Sequence, residues 1–159
     1  MPARVIGSIA EAEALVGQSL GTSEGLLITQ ERVDTFADAT GDHQWIHVDP
    51  VRAVDGPFGT TIAHGYLTLS LIPVLASQVY QLRFGEARLN YGLNKVRFPA
   101  PVAVGSTVRI SAEFAEIRRA EQGAYVTTRF TITADGASPA CVAEMVVLVL
   151  GGAKDEEQA

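Results

Sequence analysis

The most constraining feature of this sequence is an apolar stretch over residues 62–82, whose only ionisable groups are His64 and two tyrosines. A membrane span needs about 20 predominantly apolar residues with basic and aromatic anchors at its ends. This stretch instead contains Thr68, Ser70 and Pro73. We therefore predict no membrane insertion. A helix that is apolar all round is buried on most sides, so the stretch predicts one long central core helix.

The residues that follow have the period of β-strands. Residues 107–114 and 124–133 each alternate apolar and polar side chains, which predicts strands with one buried face. The Glu-Gln-Gly at 121–123 between them predicts a hairpin turn. A last strand, 141–150, is apolar on both faces near its end. Such a strand is usually covered on both sides, by the core and by another layer such as a second subunit.

A shift in this alternation marks the segment between the core helix and the hairpin. Over residues 88–98 the apolar positions change parity near Asn94 and Lys95, which predicts a β-bulge. Bulges often re-aim side chains beside functional sites. The Pro-Ala-Pro at 99–101 then ends strand pairing on that side.

The element order predicts an α+β fold with the core helix laid on an antiparallel sheet. Upstream, Thr29 can cap a helix over residues 30–39 that ends at Gly41, and residues 20–28 are a weaker strand candidate. With 159 residues, we expect a single domain over residues 1–150. The last residues, 151–159, have nothing to bury and should fray.

Charge and cysteine content exclude several partners. The 12 basic and 18 acidic residues give a net charge of −6, which disfavours binding to nucleic acid. The lone Cys141 cannot form an internal disulfide, and a reducing cytoplasm fits best. Glu11 and Glu13 interrupt the N-terminus where a secretory signal needs an apolar run, so no targeting peptide is expected.

The first candidate for chemistry is the loop GDHQWIHVDP at residues 41–50. Asp42 and His47 on one turn can aim at a common point, where one activates a water and the other passes a proton. A carboxylate beside the imidazole should also raise its pKa. From spacing alone a structural interpretation remains open, in which Asp42 caps a turn and His47 is a half-buried side chain with its hydrogen bonds made.

The second candidate is FGTTIAHG at residues 58–65, directly before the core helix. Gly65 at a helix start offers a free backbone N–H to a carbonyl oxygen that gains negative charge, and a glycine lets a substrate approach closely. The alternative is that Gly65 only allows helix and strand to pack.

Other catalytic arrangements lack support in the sequence. His43, His47, Asp42 and Asp49 could supply metal ligands, but neither a helical His-x-x-x-His pair nor a cysteine cluster is present, so we expect no metal. No Gly-x-Ser-x-Gly motif occurs. We expect no cofactor, and Cys141 in an apolar strand should be inert.

Two stretches together resemble a known family: FADATGDHQWIHVDP at 36–50 and GPFGTTIAHGYLTLSL at 56–71. They are similar to the MaoC-like (R)-specific enoyl-CoA hydratases, including the nodulation-protein N (NodN)-like branch. The resemblance implies a hot-dog fold, in which an antiparallel sheet wraps a long central helix. It also implies a homodimer.

The resemblance implies reversible hydration of a trans-2-enoyl-CoA to the (R)-3-hydroxyacyl-CoA. Asp42 and His47 match the catalytic pair that activates water, and Gly65 matches the glycine whose N–H holds the thioester carbonyl. Ser70 matches a supporting serine near the site. An apolar tunnel beside the helix would take the acyl chain of the acyl-CoA substrate.

The sequence departs from the family pattern between the two catalytic positions. Gln44 and Trp45 stand where many members have Asn-Pro. The spacing is preserved, so we expect the geometry of the pair to survive and substrate preference to change. Asn94 and Arg97, near the predicted bulge, are candidates for substrate contact, and a solvated strand end explains them equally well.

Two other functions remain open at this point. A hot-dog acyl-CoA thioesterase would use a carboxylate and water to attack the thioester carbonyl itself. A non-catalytic acyl-thioester binding module would keep the fold without turnover.

Overall fold

The computed structural model describes residues 1–152. Its strands are β1 (Arg4–Ile6), β2 (Ser19–Thr22), β3 (Leu26–Leu27), β4 (Tyr80–Leu82), β5 (Ala87–Arg97), β6 (Thr107–Ala120), β7 (Gly123–Ala134) and β8 (Pro139–Leu150). Its helices are α1 (Ile9–Ala14), α2 (Gln30–Thr40), α3 (Trp45–Val48), α4 (Pro50–Ala53), α5 (Gly65–Ser70) and α6 (Ile72–Ala76). Most of the predicted frayed end, residues 153–159, lies outside the described residues.

The main sheet has six strands in the order β2-β6-β7-β8-β5, with β3 also paired to β6. All of its pairings are antiparallel. The predicted hairpin turn is confirmed, because β6 and β7 pair as far as Ala120 opposite Gly123. The weak strand candidate at 20–28 forms two short strands, β2 and β3, rather than one. Separately, β1 and β4 pair in parallel.

The apolar positions that alternate along β6 and β7 in the sequence are the buried positions of these strands in the structure. Val108, Ile110, Ala112 and Phe114 on β6 are at most 3% exposed. The apolar positions of β7, Ala124 through Ile132, form the neighbouring rows of the same core. Each such large side chain contributes roughly 1.5–3 kcal/mol when it is fully buried, so this face fixes which side of the sheet receives the helices.

The prediction of one long helix over residues 62–82 is wrong in its length. The helical segment begins at Gly65, is interrupted at Leu71 between α5 and α6, and gives way to β4 at Tyr80. Pro73 lies in the first turn of α6, where its missing N–H and its ring disrupt continuation from the preceding turn. The two short helices still supply the core residues Leu67, Ile72 and Leu75.

The architecture is therefore α+β, with a central helical segment laid on an antiparallel sheet. This confirms the hot-dog arrangement that the family resemblance implied. Within residues 1–152, none of the helices has both the length and the apolar character that crossing a bilayer requires.

Strand β5 forms one edge of the main sheet and carries the predicted bulge. Its pairing with β8 changes register between Asn90 and Gly92 and again between Leu93 and Lys95. The second change confirms the parity shift seen in the sequence. Three apolar side chains on this edge strand, Leu89, Tyr91 and Leu93, are 50%, 64% and 45% exposed.

Candidate functional site

Helix α2 sets the start of the candidate catalytic loop. Thr29 caps it by accepting a hydrogen bond from the Arg32 amide at 3.1 Å, as predicted. The helix ends one residue later than expected, at Thr40, and Gly41 adopts a left-handed φ of 82°. Glycine adopts this conformation at little cost. The chain therefore turns sharply and places Asp42 directly after the helix.

The loop itself is held by a local turn and by packing of Trp45. The Asp42 Oδ1 accepts a hydrogen bond from the Gln44 amide at 3.3 Å. Trp45 begins α3, and the Arg52 guanidinium lies 4.2 Å from the centroid of its ring. A Cβ on Gly56 would approach the Trp45 ring to 2.9 Å. Trp45 is thus packed against residues 52–56.

His47 is buried, with 7% of its surface exposed, and its orientation is defined by one hydrogen bond. Its Nδ1 lies 2.7 Å from the carbonyl oxygen of Ile62. Because a carbonyl oxygen can only accept, Nδ1 must carry the proton. The lone pair of His47 is therefore on Nε2, where a neutral imidazole can act as a base.

The direction of the His47 pKa differs from the sequence-based expectation. Burial lowers the pKa of His47 below its ordinary value of 6.5. The Ile62 carbonyl and Asp42 act in the opposite direction, but they do not outweigh the loss of hydration. The expected rise from a neighbouring carboxylate is thus wrong in its net sign, and His47 is neutral at pH 7.

Residues 62–65 bring a third side chain to Asp42 and His47, the candidate pair. His64, 2% exposed, has its Nε2 2.9 Å from the Asp42 carbonyl oxygen. Its ring stacks on the His47 ring with centroids 3.9 Å apart. Side-chain oxygen or nitrogen atoms of Asp42, His47 and His64 all lie within 4.8 Å of one another. His64 belongs to the Ala-His-Gly motif, for which the sequence predicted a role only at Gly65.

A cleft of about 350 Å³ opens beside His47 and the start of α5. Mostly apolar residues line it: Phe58, Ile62, Ala63, Gly65, Thr68, Phe98, Ala100, Pro101, Val102 and Ala140, together with His47. A larger groove of about 580 Å³ lies at the other end of α6, and the described residues that line it include no histidine or carboxylate. Of these two, only the smaller cleft is lined by a candidate acid–base residue, His47.

Gly65 lies at the mouth of this cleft as the first residue of α5. The amide of a first helical residue has no acceptor within its own helix. A Cβ at this position would lie 3.2 Å from the Phe98 ring, which is closer than ordinary contact. The missing Cβ therefore lets the Phe98 ring pack closely on Gly65, which is the packing role left open by the sequence, while the Gly65 amide has no acceptor within α5.

The other predicted site residues lie away from the cleft within this chain. The Ser70 hydroxyl donates a hydrogen bond to the Tyr66 carbonyl at 2.6 Å. Asn94 donates from Nδ2 to Glu144 at 2.8 Å, and Arg97 donates to the carbonyl of Val96. Thr68, for which the sequence predicted no role, lines the cleft two residues before Ser70. The sequence alone does not show whether position 68 or position 70 of the helix faces His47.

Asp42, His47 and His64 are the one group of metal-type ligands found among residues 1–152. The two imidazoles are stacked with an interplanar angle of 24°. The lone pair of an imidazole nitrogen lies in the plane of its ring, so the lone pairs of two nearly parallel, stacked rings do not point at one position. A zinc ion held by both rings would need each nitrogen to point at it from about 2.0–2.1 Å. The arrangement fits proton transfer better than metal binding.

Comparisons with known proteins agree with this geometry. A family model described as MaoC like domain matches residues 11–135. The chain is 52% identical over 146 residues to 3-hydroxyacyl-thioester dehydratase Z of Mycobacterium tuberculosis, covering 91% of this chain and 97% of that protein. It is 40% identical to nodulation protein N of Rhizobium meliloti, with 96% and 97% covered.

A solved structure extends the agreement to the fold. The (R)-hydratase from A. caviae involved in PHA biosynthesis superposes with a TM-score of 0.70 at 28% identity, over 84% of this chain and 96% of that one. Family match, relatives and structure all agree with the resemblance seen in residues 36–50 and 56–71. The chain belongs to the MaoC-like family of hydro-lyases, in the branch that includes nodulation protein N.

Proposed function

We propose that this protein is an (R)-specific enoyl-CoA hydratase that reversibly hydrates trans-2-enoyl-CoA to (R)-3-hydroxyacyl-CoA. The observation that carries the proposal is the 2.7 Å contact between His47 Nδ1 and the Ile62 carbonyl oxygen, from which the tautomer of His47 follows. Its Nδ1–H is committed to Ile62, so the basic Nε2 remains for a water beside the Asp42 carboxylate. A relative at 52% identity is named a 3-hydroxyacyl-thioester dehydratase, which supports a thioester substrate.

In this mechanism Asp42 and His47 take up one proton and return one proton in each turnover, so the pair ends in the protonation state in which it began. Water loses a proton to the pair while its oxygen bonds to the β carbon of the enoyl thioester. A proton returned by the pair then bonds to the α carbon as the enolate collapses. The Gly65 N–H donates to the thioester oxygen while it carries enolate charge, and the apolar walls of the cleft receive the acyl chain.

The test follows two signals after purified protein is mixed with crotonyl-CoA or with a longer enoyl-CoA. Hydration removes the ultraviolet band of the conjugated thioester and releases no thiol, and chiral analysis should identify the (R)-3-hydroxyacyl product. Thiol release would instead identify a thioesterase. No change with either substrate, or with the corresponding acyl-carrier-protein thioesters, would favour a binding module and contradict the proposal.

The lowered pKa of His47 predicts the pH dependence of the reaction. Since the reactive form is the neutral ring, kcat/KM should stay high as pH falls through 6.5 and decline only at lower pH. Below about pH 6.5 the unfolded chain binds a proton at His47 that the folded chain does not. The free energy of unfolding should therefore decrease there. A decline in kcat/KM that begins well above pH 6.5 would contradict this role.

We also infer a homodimer that pairs through β5. A long edge strand with exposed apolar side chains is a template for pairing with another chain, and Leu89, Tyr91 and Leu93 form such an edge. The double variant Leu89→Lys, Leu93→Lys should sediment as a monomer where the wild type sediments as a dimer. Val51, 84% exposed on α4, offers a control, since Val51→Lys should remain dimeric. A monomeric wild type would exclude the dimer.

A cytoplasmic location is part of the proposal. Cys141 is a free, buried thiol, and burial raises its pKa to about 11. A thiol of this kind is stable and unreactive in a reducing compartment.

A further inference from the structure

His64 is a buried side chain at the site to which the proposed reaction assigns no role. It lies directly before Gly65, and its backbone carbonyl accepts a hydrogen bond from the Thr68 amide in the first turn of α5. Its side chain points back towards the Asp42 loop instead of towards solvent. A polar ring that is 98% buried beside two proton-transfer groups requires an explanation.

Residues 62–64 and 42–47 are joined by three hydrogen bonds. The Ile62 amide donates to the Ile46 carbonyl at 3.0 Å. The Ile62 carbonyl accepts from His47 Nδ1 at 2.7 Å, and the Asp42 carbonyl accepts from His64 Nε2 at 2.9 Å. The first two bonds hold the His47 end of the loop. Of the three, only the bond from His64 holds the Asp42 end.

The ring of His64 contacts two other rings. His47 stacks on one side at 3.9 Å, and Phe36 of α2 lies 4.9 Å away at an interplanar angle of 55°. Its Nδ1 is buried and has no hydrogen-bond partner. Because Nε2 faces a carbonyl oxygen, the proton is on Nε2 and the unpartnered Nδ1 is the lone pair. His64 thus carries its proton on Nε2, whereas His47 carries its proton on Nδ1.

We propose that His64 is a positioning residue whose Nε2–H holds the Asp42 backbone while its ring face supports the plane of His47. The inference rests on the proposed function, since it assigns Asp42 and His47 to the reaction. His64 itself exchanges no proton with substrate. Its contribution is geometric, because a displacement of about 1 Å in a catalytic group can cost about 10²-fold in rate.

Two variants that differ by one methylene separate the hydrogen bond from general burial. In His64→Gln the amide nitrogen can take the place of Nε2 and still donate to the Asp42 carbonyl. In His64→Asn the amide nitrogen lies near the position of Nδ1 and does not reach the Asp42 carbonyl oxygen. We expect His64→Asn to lose about 10-fold or more in kcat with KM changed little, and His64→Gln to recover most of that loss.

The control is His43→Asn, at the exposed histidine of the loop over residues 41–50. His43 is exposed and contacts Asp38 at 2.9 Å, so its replacement should leave kcat unchanged. Thermal unfolding of all variants measures any loss of folded protein. Equal kcat in His64→Asn and wild type, or equal losses in the Asn and Gln variants, would overturn the positioning role.

A second measurement does not depend on turnover. The chain has three histidines, so long-range ¹H–¹⁵N spectra of the imidazoles can be assigned with the His43 and His64 variants. The expected wild-type tautomers are Nε2–H at His64 and Nδ1–H at His47. An Nδ1–H tautomer at His64 would exclude the bond to Asp42. Wild-type protein that hydrates no enoyl thioester, with these tautomers present, would instead contradict the proposed function alone.

Discussion

Replacement of Asp42 by asparagine should lower hydratase turnover by about 10²-fold or more, the usual size of an acid–base contribution. The asparagine Oδ1 can still accept the hydrogen bond that Asp42 Oδ1 takes from the Gln44 amide. The carbonyl that His64 contacts belongs to the backbone and is unaffected. The substitution therefore removes the charge and proton affinity of the carboxylate while it leaves the turn in place.

The measurement is kcat on crotonyl-CoA, with circular dichroism and thermal unfolding to verify the fold. Asp38→Asn is the matched control, because Asp38 is an acidic residue of the neighbouring helix that pairs with exposed His43. We expect the control to keep wild-type turnover. Wild-type turnover in Asp42→Asn itself would remove Asp42 from the mechanism, and unchanged acyl-CoA binding with no activity in any form would favour a binding module.

Replacement of His47 should have an effect of similar size, about 10²-fold or more in turnover. His47→Ala removes the base but also leaves the Ile62 carbonyl without its donor in a buried place, at a cost of about 1–3 kcal/mol in stability. His47→Asn is the sharper variant. Its amide nitrogen lies near the position of Nδ1 and can still donate to Ile62, whereas nothing replaces the lone pair on Nε2.

We expect His47→Asn to unfold near the wild-type temperature and His47→Ala to unfold earlier, with both nearly inactive. The contrast separates the basic nitrogen from the structural hydrogen bond. If His47→Asn turned over substrate like the wild type, the base would have to be another group. If only His47→Ala lost activity, in proportion to its lost stability, His47 would be a structural residue.

The local patterns of this sequence predicted much of the frame around these residues. Thr29 and Gly41 delimit helix α2 within one residue of the prediction, because capping depends on side chains and φ angles at the helix ends. The hairpin of β6 and β7 follows from alternation and a glycine-containing turn. The Asp42 and His47 spacing, together with the Ala-His-Gly motif, identified the family.

The tertiary structure decided what depends on residues far apart in the chain. The direction of the His47 pKa follows from burial beneath residues 62–64, which no local pattern reports. The stacking of His64 on His47 joins positions 17 residues apart. The family resemblance selected Ser70, whereas Thr68 lines the cleft within this chain, and the sequence missed the interruption of the central helix at Leu71.

The sequence by itself therefore determined the α+β class, the strand faces and the family of this protein, and it selected the candidate loop at residues 41–50. Periodicity, capping and motif spacing act over a few neighbouring residues, so they can be read along the chain. Only the tertiary structure decided the tautomers, the protonation of His47 and the place of His64. These properties depend on which side chains are shielded from water and on which carbonyl oxygens accept their hydrogen bonds. Only the packing of the folded chain brings those groups together.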